Sequence, residues 1–70
     1  MFIYMPQRET AIMAKVVQVN DTKLVVTNGY INLTEEFDSR EEATKWLWKI
    51  CKAIEQGTKM FYVKGKQPGE

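Results

Sequence analysis

Residues 38–57 read DSREEATKWLWKICKAIEQG, and this stretch decides the fold. It is the one run long and periodic enough for a full helix. Ala43, Trp46, Leu47, Ile50, Ala53 and Ile54 recur at helical spacing and make one apolar stripe. Ser39 stands three residues before Glu42, the capping-box spacing in which a serine oxygen takes a free first-turn amide. Asp38 with Glu41 is an equally legal register, with Phe37 as a hydrophobic staple. Acids crowd the first turn (Glu41, Glu42) and Lys45, Lys49 and Lys52 follow, which suits the helix dipole. Gly57 is a natural left-handed stop.

Working outward, the remaining segments read as short strands that need cover on one face. Residues 12–19 (IMAKVVQV) and 23–27 (KLVVT) are rich in β-branched residues, with a turn at Asn20-Asp21 between them. Asn28-Gly29 is the signature of a two-residue hairpin turn into a third strand, 30–34 (YINLT). With that turn, Val26 faces Ile31 and Leu24 faces Leu33, so one face is wholly aliphatic. An even-length first turn adds Val17 and Val19 to it and leaves Lys15 to snorkel from a strand end, which is preferred over an odd-length turn that would place Ala14 and Val16 there with Gln18. After Gly57, TKMFYVKGK is a fourth strand. The expected architecture is α+β, in the order β-β-β-α-β, with one helix packed on one face of a mostly antiparallel four-stranded sheet.

The chain reads as one domain over 1–70. Its opening MFIYM, up to Pro6, reads as an edge strand or an N-terminal arm. Met13-Ala14-Lys15 would serve as an alternative start, so residues 1–11 could be an extension of a smaller domain. The run is too short for a membrane span or a signal-peptide core. The tail, 65–70, reads as frayed. One cysteine and no histidine exclude an internal disulfide and a cysteine–histidine zinc site, and no cofactor is expected. The single thiol, Cys51, suits a reducing, cytoplasmic setting and reads as a small core residue.

No catalytic motif stands in the sequence. Cys51 lacks a base, Glu35-Glu36 and Glu41-Glu42 sit at a helix start where carboxylates act as caps, and no phosphate-binding glycine loop occurs. The expectation is a non-enzymatic protein. A chain this short is marginal alone, so a homodimer or a larger protein partner is expected.

Two surfaces are available for a partner. Trp48 lies roughly 140° from the centre of the helical stripe, beside Lys45 and Lys52, and is either covered by a terminal segment or is a partner anchor. The uncovered sheet face would carry Val25, Thr27, Tyr30, Met60 and Tyr62, an aromatic and methionine patch of the kind that binds protein. The runner-up is single-stranded nucleic acid stacked on Tyr30 and Tyr62 with Lys23, Lys59, Lys64 and Lys66 on phosphates. A net charge of +1 argues against a strongly basic nucleic-acid binder. Charge is nevertheless polarised, with acids between 35 and 42 and lysines from 45 to 66. In size, in the lack of catalytic residues and in spare aromatic surface, the chain is similar in kind to small accessory proteins of phages or mobile elements. Those act by binding and modulating a host protein.

Overall fold

The computed structural model describes residues 1–65. Strands β1 (Phe2–Met5) and β2 (Thr10–Met13) are joined by a 3-10 turn, Pro6–Arg8. Strands β3 (Val16–Asn20), β4 (Lys23–Thr27) and β5 (Asn32–Glu36) form an antiparallel meander, followed by helix α1 (Arg40–Glu55) and strand β6 (Met60–Tyr62). The described residues are thus α+β with one helix, as expected, but their strands make two three-stranded sheets rather than one of four. Their orders are β2-β1-β6 and β3-β4-β5.

The difference comes from the first dozen residues. β1 is not an edge strand. It is the middle strand of its sheet, antiparallel to β2 and parallel to β6. The strand after the helix therefore pairs with the N-terminus and not with the meander. Its ladder is extended by Phe2 N donating to Lys59 O (2.8 Å) and Val63 N donating to Tyr4 O (2.9 Å). The two sheets are joined through residues 10–20. Ala14 N donates back to Met1 O and the next amide, Lys15 N, donates to Thr27 O. Consecutive amides of an extended chain point to opposite edges, so this run borders β1 on one side and β4 on the other.

The meander keeps the expected faces with a changed register. The first turn has two residues, Asp21-Thr22, with Asp21 left-handed (φ 59°), and it places Val17 opposite Val26 and Val19 opposite Leu24. The second loop is wider than the Asn-Gly turn expected. Asn28 Oδ1 accepts from both Tyr30 N (2.9 Å) and Ile31 N (2.8 Å), and Thr27 Oγ1 accepts from Gly29 N (3.0 Å). These bonds stabilise a loop over 28–31, because an asparagine side chain can replace the backbone partners of a tight turn. Val26 then faces Leu33 and Leu24 faces Glu35. A slip of two residues preserves face parity, so Leu24, Val26 and Leu33 stay inward, whereas Ile31 moves into the exposed loop and Glu35 takes an inward place.

The helix begins with Ser39 Oγ accepting from Glu42 N at 3.1 Å, which selects the serine register over Asp38. It ends at left-handed Gly57 (φ 76°), whose N–H donates to Ile54 O while Thr58 N donates to Ala53 O, the Schellman pattern. Ala43, Ile50 and Ala53 are buried, and Trp46 and Leu47 are half-buried. Two expected stripe neighbours are not in the core: Ile54 and Cys51 are exposed. The helix rests on β3 and β4.

Both sheets and the helix share one core of Ile3, Met5, Ile12, Leu24, Val26, Leu33, Phe37, Ala43, Ile50 and Val63. Trp46 closes it at one side, stacked on Phe37 (5.9 Å between ring centroids) and edge-on to Phe61 (6.2 Å), with the Lys49 ammonium 4.4 Å from its ring centroid.

Candidate functional site

Alternation along β1 sends Ile3 and Met5 into the core, so Phe2 and Tyr4 must point out. Direct pairing brings their neighbours to the same face. Phe2 stands beside Met13 of β2 and Met60 of β6, and Tyr4 stands beside Ala11 of β2 and Tyr62 of β6. All six outward positions of this sheet are therefore apolar or aromatic, and none is charged. Phe2, Met13, Met60 and Tyr62 are 41–62% exposed, and the rings of Tyr4 and Tyr62 meet edge to face at 5.4 Å. Soluble antiparallel sheets usually put polar residues on the open side. On this sheet the open side is apolar as well.

Side chains of this size carry about 150–250 Å² each, so the exposed fractions leave roughly 400–500 Å² of contiguous apolar surface. That is the size of the largest apolar patch on a typical monomer, which is often functional.

The residues singled out from the sequence do not form one site. Met60 and Tyr62 lie on this face, but Tyr30 sits in the 28–31 loop, 93% exposed, and Val25 and Thr27 lie on the outer face of the other sheet. The expected single patch is thus divided between two sheets, because β6 joins β1. Lys23 also belongs to the meander, across from Asn20 and Glu36, and is separated in the same way from Tyr62. Lys59 and Lys64 flank β6, both exposed, and Lys66 lies outside the described residues. Trp48 is 65% exposed, in a shallow depression lined by Arg40, Glu41, Thr44 and Lys45, all of its own helix. Lys52 is exposed one turn further on. No described residue of another element lines the Trp48 depression.

Sequence reasoning missed Phe2, Tyr4, Ala11 and Met13. The signal was present in MFIYM, where both parities are apolar. Such a strand has hydrophobic neighbours on each side.

A second feature lies at the rim of the meander. Glu35, on the inner face of β5, is almost fully buried, with Oε1 3.3 Å from Arg8 Nε. The Nε hydrogen is directed to Thr34 O (2.8 Å), and Oε1 accepts no hydrogen bond among the described residues. Burial pushes the Glu35 carboxyl above its ordinary value of 4.5, and the Arg8 charge offsets only part of that. Gly65 lies over the carboxylate: a Cβ there would stand 2.5 Å from Oε2 and 2.9 Å from the Glu36 carbonyl oxygen. Arg8 thereby ties the β1–β2 turn to β5. The cluster reads as a structural latch.

Among the described residues, no group of three or more Cys, Asp or Glu side chains is placed to hold a metal ion. Nor is any helix long and apolar enough to cross a membrane. Comparison with protein-family models, with curated proteins and with solved structures gave no match.

Proposed function

We propose that the protein is a non-enzymatic interaction module that binds and modulates a larger protein through the outer face of the β2-β1-β6 sheet. The observation that carries this reading is the absence of any charge among that sheet's six outward positions. Apolar cores with polar rims characterise protein interfaces, with aromatic residues and methionine enriched. Lys59 and Lys64 supply part of such a rim.

The area favours a larger partner over a second copy. Two such faces stacked on each other would bury roughly 900 Å² in total, short of the ~1,200–2,000 Å² of stable interfaces. A larger partner can add contacts along the rim, with Trp48, Lys45 and Lys52 as a separate anchor on the helix. The nucleic-acid reading is weaker, because Tyr30 lies in the 28–31 loop, Lys23 lies on the other sheet and the outer face itself carries no cation.

The test is affinity capture with the wild type, Tyr62→Glu, Met13→Glu and Trp48→Ala, each with and without nuclease, followed by titration of the purified pair. Both glutamates replace exposed side chains, so thermal unfolding should barely move. They should weaken binding of the captured protein by about tenfold or more, as at an interface hot spot. A partner that binds the two glutamate variants as tightly as the wild type sinks the assignment. Binding that vanishes with nuclease and falls steeply with salt would transfer it to nucleic acid.

A further inference from the structure

The second half of α1 does not close down on the sheet it covers. Between it and β3 lies a groove of about 430 Å³. Leu47, Ile50, Cys51 and Ile54 form the helix wall, and Val17 and Ala14 the floor. The volume falls in the range of small-ligand sites. Ile54, a residue of the helical stripe, is 57% exposed over the groove instead of packed. One charged side chain lines it, Lys15, at the bend between β2 and β3. Lys15 makes no ion pair among the described residues, and no carboxylate is in the lining. Thr58, the Gly57 backbone and the Cys51 thiol add polar atoms to the lining.

Met1 also lines the groove, its α-ammonium donating to Met13 Sδ at 3.5 Å, so an aliphatic slot with cations and no carboxylate at its margin matches an amphiphile of opposite charge. We infer that the groove between α1 and β3 binds a free medium-chain carboxylic acid, its alkyl chain between Leu47, Ile54 and Val17 and its carboxylate on Lys15. Chain burial supplies most of the affinity and the ammonium sets the sign of head group accepted. The site is distinct from the outer sheet face, so either assignment can fail without the other.

The experiment is an amide NMR titration of the full chain with decanoate, kept below its micelle concentration, against decylamine as a probe with the same chain and the opposite charge. Saturable shifts are expected at residues 15, 17, 47, 51, 54 and 58 with decanoate, and binding of decylamine about tenfold weaker or less. Lys15→Glu should reverse that preference. Ile54→Asp should abolish binding of both while leaving the spectrum dispersed. Both positions are exposed, so neither change should unfold the protein. Equal affinity for the two amphiphiles, an unchanged preference in Lys15→Glu, or shifts centred on Phe2, Tyr4, Met60 and Tyr62 would each overturn the proposal. Non-saturable shifts would overturn it too.

Discussion

Glu35 is the residue at which the fold works against its own chemistry. It occupies an inward position on β5 opposite Leu24, where the strand pattern would place an aliphatic side chain. Because burial raises its pKa, the folded state holds a proton that the unfolded chain has already released over the interval above 4.5. Stability contributed by the protonated form is therefore present at low pH and is lost as pH rises through the raised value. Glu35→Gln, which removes the charge and keeps the shape, should be more stable than the wild type at pH 8 and converge with it near pH 4. Urea denaturation at the two pH values checks this, and a variant less stable at both would mean that the Arg8 pair outweighs burial. The neighbouring Gly65 is required for space and not for backbone conformation. Gly65→Ala should lose about 1–3 kcal/mol in the same measurement, because the added methyl must displace the Glu35 carboxylate or the Glu36 carbonyl.

At the scale of elements, the helix is the best-defined unit. Its start is fixed by a side-chain cap and its end by a glycine in the left-handed region. Ser39→Ala leaves the Glu42 amide without its partner and should cost about 1 kcal/mol, read as a lowered midpoint in thermal or denaturant unfolding. The strands of the meander are defined less by their turns than by their faces. The 28–31 loop is two residues longer than an Asn-Gly hairpin requires, yet no side chain changes sides. A register slip by one would have turned Leu24, Val26 and Leu33 to solvent, and the loss of that burial forbids it. A slip by two costs only the exposure of Ile31, offset in part by the bonds around Asn28.

For the whole molecule, the N-terminal strand is what makes one core out of two sheets. Ile3, Met5 and Ile12 from β1 and β2 are packed with residues of the meander, the helix and Val63. Deleting residues 1–12 removes all three side chains and the only strand that β6 pairs with among the described residues. The truncated chain should show no cooperative thermal transition. A sharp transition near that of the full chain would mean that the smaller unit is autonomous.

The sequence by itself determined the helix, its stop and the inward set Leu24, Val26 and Leu33, and it favoured the parity that adds Val17 and Val19. Each of these rests on local spacing, in which a side chain's direction follows from its position in a regular element. It also marked Trp48 as lying off the buried stripe. The choice of Ser39 over Asp38 as cap came from the structure. Tertiary structure alone decided which strand β6 would join, and with it the candidate site. Pairing between distant strands depends on which edges are left free once the core has closed, and nothing local to Met60-Phe61-Tyr62 records that the free edge belongs to β1. The same long-range choice divided Tyr30 and Lys23 from Tyr62, and assembled Phe2, Tyr4, Ala11 and Met13 with Met60 and Tyr62 into one apolar face.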